Sequence, residues 1–189
     1  PVVVYINGDY FGVYNLRDDT DNDYLEQHYG IPKEEVAIIA YGHENGNWFY
    51  KIDEGTQSDL NDYQNMLSWI ASNNMASASN YKKACEMLDT DNFIKYIAVN
   101  VYANNRDWPH NNVRAWKYTG TANSKYGQDG KWRFILKDID YSWGIINSPG
   151  ATENVIAEET SHSEDVLCGR AGEISAAFAS LMQNAQFRK

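Results

Sequence analysis

Two strand-like segments with an acidic end constrain the fold of this chain most. Residues 113–118 and 131–137 are rich in aromatic and β-branched side chains, and the intervening residues 119–130 hold Gly120, Gly127 and Gly130. This pattern predicts a β-hairpin with a long turn. Because the open ends of a hairpin lie side by side, Asp138 after the second strand is expected beside Asn112 before the first. The sequence therefore predicts that two distant polar segments share one pocket.

The residue types in these two segments suit phosphoryl transfer. Asp107 is followed five positions later by Asn112, and Asp138 and Asp140 precede Gly144. Protein kinases place a catalytic Asp, an Asn and a later Asp before a glycine in the same order. One carboxylate orients the acceptor hydroxyl, while hard oxygen ligands hold Mg²⁺ across the phosphates of ATP. On this interpretation Asp107 is catalytic, and Asn112, Asp138 and Asp140 are metal ligands.

A structural interpretation of the same residues stays open, because an Asp and an Asn at this spacing form a weak motif. Asp107 would then cap a turn before Pro109, and Asp138 and Asp140 would lie in a solvated bend. In favour of a site, a predicted helix ends near Asn104, so Asp107 would lie on a loop held by a rigid element.

Composition excludes several classes of function. The net charge is −10 over 189 residues and Lys and Arg form no cluster, so no nucleic-acid partner is expected. No apolar run approaches the ~18 residues of a membrane-spanning helix, so no membrane span is expected. The length suits one domain with a core of its own. An acidic domain can bind ATP where divalent cations neutralise the phosphates.

Cysteine and histidine give no further site. The four histidines show no H-E-x-x-H spacing, and no G-x-S-x-G nucleophile turn occurs, so hydrolases of those types are not expected. Cys85 and Cys168 are compatible with one disulfide and equally with two buried free thiols.

Periodicity and turn signals predict an α+β chain. It opens with a hairpin around Asn7 and Gly8, a pair typical of tight β-turns. The other expected elements, in chain order, are a helix over 24–29, strands over 36–41 and 48–52, a helix capped by Ser58, a helix over 81–88, a helix from about 93 to 104, the hairpin strands described above, a loop over 147–163 and a helical pattern over 165–189.

Three motifs taken together resemble the CotH kinase family. They are N-G-x-Y-x-G-x-Y from Asn7 to Tyr14, D-W-P-x-N-N from Asp107 to Asn112, and D-x-D-x-x-x-G starting at Asp138. The combination is far more specific than any one motif, and the resemblance covers most of the chain.

The resemblance implies an atypical protein-kinase-like fold in one domain over residues 1–189. It implies an enzyme that transfers the γ-phosphoryl group of ATP to Ser residues of a protein substrate, with Mg²⁺ or another divalent cation. Asp107 would be the catalytic-loop acid, Asn112 and Asp138 metal ligands, and Asp140 a further ligand. Family members of this type are secreted or lie at a cell or spore surface, so an extracellular or surface location is expected.

The resemblance also leaves alternatives. The family has sequence before the first hairpin, including the basic residue expected to bind the ATP phosphates, and sequence after residue 188, so the domain is expected to be incomplete at both ends. A surface binding or assembly module with this fold and no catalysis is one alternative. A structural domain stabilised by a divalent metal is another.

Overall fold

The computed structural model describes residues 1–145, 154–160 and 172–189, and they form the α+β fold that the sequence predicts. The strands are β1 Val2–Ile6, β2 Asp9–Tyr14, β3 Val36–Glu44, β4 Asn47–Glu54, β5 Val113–Tyr118 and β6 Arg133–Ile135. The helices are α1 Asn22–Tyr29, α2 Gln57–Ser72, α3 Ala78–Met87, α4 Thr90–Ala103, α5 Val155–Thr160 and α6 Gly172–Leu181, with a 3₁₀ turn at Lys33–Glu35.

The main sheet is antiparallel and has the strand order β4-β3-β5-β6. Its central strand β3 begins with a continuous apolar run because both of its faces are covered there. Ala37, Ile39 and Tyr41 pack into the large core formed with helices α2, α3, α4 and α6. Val36 and Ile38 point to the opposite face and pack against a smaller cluster that includes residues of α1 and β5. Two layers thus enclose one sheet.

The predicted β5–β6 hairpin is present, with Arg114 opposite Ile135 and Trp116 opposite Arg133. Strand β6 is shorter than the predicted segment of residues 131–137. Its first part leaves the hairpin because Trp132 instead exchanges backbone hydrogen bonds with Met87 and Asp89 at the end of α3. The strand therefore connects the sheet to the helical layer.

Helix α1 begins and ends where the sequence signals predict. The side chain of Asp21 accepts a hydrogen bond from the backbone N–H of Tyr24, and Gly30 ends the helix in the left-handed conformation with φ 65°. Helix α2 corrects the prediction of a cap at Ser58. It begins at Gln57, because Thr56, two residues before Ser58, is the cap and forms a reciprocal capping box with Asp59.

The last third of the chain holds further corrections. A loop is predicted over 147–163, but residues 155–160 form α5, and the side chain of Asn154 accepts a hydrogen bond from the backbone N–H of Ala157 in its first turn. Of the helical pattern over 165–189, the structure describes α6 up to Leu181 and turns after it, where Asn184 binds the carbonyl of Met75. Residues 146–153 and 161–171 lie outside the described part.

The β1–β2 hairpin forms a separate two-stranded ribbon, with positive φ angles at Asn7 and Gly8 as the turn requires. Cys85 is a half-buried free thiol, and Cys168 lies outside the described residues. Among the described helices, none combines the length and apolar character that crossing a membrane requires.

Candidate functional site

The loop after α4 is fixed by a chain of buried amides. Asn100 donates from Nδ2 to the carbonyl of Tyr96 at 2.9 Å, and Asn105 donates to Asn100 Oδ1 at 2.9 Å. Asn105 Oδ1 in turn accepts from the backbone N–H of Asp107 at 3.2 Å. Asn104 ends the helix in the left-handed conformation, which asparagine tolerates. The position of Asp107 is therefore set by the helix through three successive hydrogen bonds.

The carboxylate of Asp107 is oriented by side chains of its own loop. Its Oδ2 accepts hydrogen bonds from Asn111 Nδ2 and Asn112 Nδ2, both at 2.8 Å. Its side chain remains 28% exposed, so one face of the group is open to a ligand. A carboxylate with two amide donors and an open face is held in one orientation while it keeps acceptor capacity.

His110 is a titratable neighbour of Asp107. Its Nε2 lies 3.6 Å from Asp107 Oδ1, and its ring meets Trp48 edge-on at 5.2 Å between centroids. Burial lowers the pKa of His110, although the charge of Asp107 opposes that shift. A neutral imidazole packed beside the carboxylate limits the access of water without adding a charge.

The segment with the second acidic pair is attached to this loop by backbone hydrogen bonds. The N–H of Arg106 donates to the carbonyl of Tyr141 at 3.0 Å, and the N–H of Trp143 donates to the carbonyl of Ala103 at 2.9 Å. The hairpin delivers Asp138 to the same place, and its backbone there has φ 50°. The two polar segments predicted to meet do lie together.

Asp138 and Asp140 lie two positions apart in the same segment, and their carboxyl groups interact. Interaction with Asp140 raises the pKa of Asp138, and burial and then the charge of Asp107 act in the same direction. Asp138 is thus within electrostatic range of both Asp140 and Asp107. A concentration of negative charge of this kind is relieved by a proton or by a cation.

The oxygen donors of Asp138, Asp140 and the Asn112 amide are of the hard type that Mg²⁺ prefers. Within the residues that the structure describes, no three His, Cys, Asp or Glu side chains are gathered in the arrangement of a metal centre. The donor set fits a divalent cation by its chemistry and by the charge it would neutralise. The predicted roles of Asp107, Asn112, Asp138 and Asp140 remain proposals.

Sequence reasoning missed the residues that support Asp107. In the sequence, Asn105 and Asn111 are visible only as members of the pairs Asn104-Asn105 and Asn111-Asn112. It also missed Gly42 on β3, where a β-carbon would lie 2.9 Å from Asn111 Oδ1. The glycine thus leaves the room in which Asn111 approaches the sheet and reaches Asp107.

The whole chain was compared with known protein families, curated proteins and solved structures. The family described as CotH kinase protein matches residues 1–189. Searches of curated proteins and of solved structures gave no significant match. The family match covers the whole chain, including the three motifs and the site they build, and this chain belongs to the CotH kinase family.

Proposed function

We propose that the protein is an atypical protein Ser kinase that uses ATP and a divalent cation, preferably Mg²⁺. The observation that carries the proposal is the pair of backbone hydrogen bonds that attaches the segment with Asp138 and Asp140 to the loop with Asp107. Membership in a kinase family supports the reaction class. The protein acceptor and an extracellular or surface location follow the family resemblance and belong to the same proposal.

Asp107 orients the acceptor hydroxyl in this proposal. As the serine oxygen forms its bond to the γ-phosphorus, the bond from that phosphorus to the bridging oxygen of ADP breaks, and the hydroxyl proton passes to the Asp107 carboxylate. The amide donors Asn111 and Asn112 hold Oδ2, so Oδ1 and the open side of the group face the hydroxyl. At the acceptor oxygen, the protein contributes only proximity and orientation to the reaction.

Asn112, Asp138 and Asp140 hold the cation in this proposal. A bound Mg²⁺ would neutralise the phosphate oxygens as charge develops on them. The interaction of Asp138 with the nearby Asp140 supports a shared ligand position for these two side chains. The raised pKa of Asp138 reflects the same negative field that attracts a metal ion.

The test is transfer of radiolabel from γ-labelled ATP to a serine-containing peptide library. Asp107→Asn and Asp138→Asn each lower the rate on the order of 10³-fold or more, as loss of a central electrostatic group does. Asp91→Asn serves as the matched control, since Asp91 is an exposed carboxylate in the first turn of α4. Wild-type rates in both site variants would refute the assignment.

A second candidate function is supported by the β1–β2 ribbon. Large side chains remain exposed on it, among them Tyr5 and Tyr10 at 63% each and Phe11 at 58%. Exposed aromatic groups are typical of contact surfaces, so a binding or assembly module is the alternative. Under this alternative neither Mg²⁺ nor Mg-ATP raises the melting temperature, whereas a metal-stabilised structural domain responds to Mg²⁺ alone and a kinase responds further to ATP.

A further inference from the structure

A cavity of about 230 Å³ lies beside the acidic site. It opens on the face of the sheet that carries Ala40 and Gly42 of β3, which we call the open face. These two residues are small, and the flanking strands β4 and β5 contribute longer side chains. The central strand thus forms the floor of a depression between β4 and β5. The register of the sheet determines which side chains of those strands line the depression.

The register brings basic groups from β4, from β5 and from the segment after β6 to the open face. Ala40 is paired with Lys51 on β4 and with Arg114 on β5, so these two side chains flank one floor residue. Residues two positions apart on a strand share a face. On the same face, Asn112 lies next to Gly42 and Lys137 lies next to Asn112. Asn112 directly precedes β5, Lys137 lies two residues after β6, and both line the cavity.

The charges in the cavity favour an anion. Its lining includes the cations Lys51, Arg114 and Lys137 against the carboxylates Asp53 and Glu44, in a chain whose net charge is −10. Arg114 is also paired with Asp19 at 3.3 Å, so Lys51 and Lys137 are the two lining cations to which a bound anion would turn.

Lys51 can bind a ligand without leaving Asp53 unpaired, because Arg114 also binds Asp53. Asp53 accepts from Arg114 Nη2 at 2.8 Å and lies 2.8 Å from Lys51 Nζ. The Arg114 side chain is only 10% exposed and also binds the Thr20 carbonyl at 2.9 Å, so it is fixed in place. The Lys51 side chain is 66% exposed. It can turn to an anion while Asp53 keeps its buried arginine partner.

The cavity borders the proposed transfer site through two residues. Asn112 lines the cavity and donates to Asp107, and Lys137 lines the cavity and precedes Asp138 in the chain. The charge of Lys137 acts on Asp138, where it lowers the affinity for a proton. An anion in the cavity would therefore lie next to the carboxylates that are proposed to hold the metal.

We propose that this cavity is a phosphate subsite, in which the ammonium groups of Lys51 and Lys137 bind the phosphate chain of the nucleotide and Arg114 holds Asp53 in place. The inference rests on the proposed kinase function for the identity of the ligand. It assigns phosphate-binding groups to β4 and to the end of β6, within the residues of this chain.

The experiment is calorimetric titration of the purified protein with tripolyphosphate and, separately, with ATP, both without divalent metal. Lys51→Ala and Lys137→Ala each weaken binding of both ligands on the order of 10-fold, since each removes a charge-assisted contact. Lys82→Ala, an exposed lysine of α3, is the control and binds as the wild type does. Circular dichroism melting checks that each variant is folded.

Wild-type affinity for tripolyphosphate in both cavity variants would overturn the subsite. Weakened tripolyphosphate binding with unchanged ATP binding would also overturn it, because the bound phosphate would then not be that of the nucleotide. The kinase proposal fails separately. If no radiolabel is transferred but tripolyphosphate binding still depends on Lys51 and Lys137, the subsite stands and the transfer reaction does not.

Discussion

Asp107 and Asp138 have different surroundings although they lie in one site. Asp107 accepts two amide hydrogen bonds, which fix the orientation of its carboxylate. Asp138 has the carboxyl group of Asp140 as its neighbour, and its pKa is raised by that interaction first and by burial and the charge of Asp107 after it. The first arrangement suits an acceptor of protons in a fixed orientation, and the second suits a ligand that a cation completes.

The raised pKa of Asp138 makes the stability of the metal-free protein depend on pH. Its pKa in the folded state lies above the unfolded value of 3.8, so the folded state loses stability as pH rises through the folded pKa and that loss is complete at neutral pH. Asp138→Asn removes the repulsion, and asparagine tolerates the φ of 50° at this position.

We expect Asp138→Asn to raise the melting temperature in EDTA by about 1–2 °C, a small shift because the group is exposed. The same substitution removes the stabilisation by added Mg²⁺. Differential scanning fluorimetry of both proteins, with and without Mg²⁺, measures the two effects. A lower melting temperature of the variant in EDTA would contradict this account of the acidic pair.

His110 gives the protein a pH-dependent stability of opposite sign. Burial lowers its pKa below the ordinary 6.5, with Asp107 opposing the shift and Arg106 adding to it. The unfolded chain therefore binds a proton at a higher pH than the folded chain, and stability falls as pH drops below about 6.5. His110→Gln makes urea unfolding less dependent on pH between 7.5 and about 5.5. His28→Gln, at an exposed histidine, is the control, and an equal slope in wild type and His110→Gln would refute the prediction.

At the scale of elements, β6 is an edge strand whose free side is bound by a side chain. Asn92 of α4 accepts from the N–H of Phe134 at 2.6 Å and donates to the Phe134 carbonyl at 3.1 Å. These two bonds replace the missing neighbouring strand. Since Phe134 lies four residues before Asp138, they also fix the end of the hairpin that delivers the acidic pair.

Asn92→Ala is expected to lower the free energy of unfolding by about 1–3 kcal/mol, because it leaves a partly buried backbone N–H and C=O without their partner. The variant also transfers phosphoryl groups more slowly, since Asp138 loses its support. Urea denaturation followed by fluorescence gives the stability. Asn61→Ala, at an exposed residue that binds Gln57 within α2, should change it little, and an equal effect of the two substitutions would contradict the prediction.

Strand β3 supports the site because Gly42 has no side chain and leaves room for Asn111. A β-carbon there would lie 2.9 Å from Asn111 Oδ1, so Gly42→Ala displaces the amide that orients Asp107. We expect a fall in phosphotransfer rate on the order of 10-fold or more, since small displacements of catalytic groups are costly. Gly172→Ala, where a β-carbon meets nothing within 4 Å, is the control in the same kinetic assay. A wild-type rate in Gly42→Ala would show that Asn111 does not position the carboxylate.

The elements also show what the sequence could predict. Local signals set the β1–β2 turn, the ends of α1 and the β5–β6 hairpin, because turn and cap residues act over a few positions. The cap of α2 was misplaced because Thr56 and Ser58 are both good cap residues, and only the Thr56–Asp59 box distinguishes them. Helix α5 has too few residues for a periodic pattern to be detected.

The support of the site depends on contacts that no local pattern carries. Arg114 binds Asp53 and Asp19, which lie 61 and 95 positions away in the chain. The amide chain from Asn100 to Asp107 consists of polar residues in a loop, where neither helical nor strand periodicity applies. The motif residues were thus predictable, while their positioning partners depend on the tertiary fold.

At the scale of the whole molecule, an acidic chain is proposed to bind a highly charged anion. The net charge of −10 opposes the approach of ATP, and the cations of the open face and a bound Mg²⁺ would offset it locally. The sheet connects the cavity with the acidic segment, since β5 begins beside the cavity, β6 ends beside it and the acidic segment starts there. The central claim is therefore that the Asp107 loop and the segment of Asp138 and Asp140 form one divalent-cation site.

The measurement that tests this claim most directly is anomalous diffraction from crystals grown with Mn²⁺ and a non-hydrolysable ATP analogue. Manganese prefers the same oxygen ligands as magnesium and can be located by its anomalous signal. The account predicts a peak within coordination distance of Asp138 and of Asn112 or Asp140, on the side that faces Asp107. A peak bound elsewhere on the chain, or no peak at saturating Mn²⁺, would contradict it.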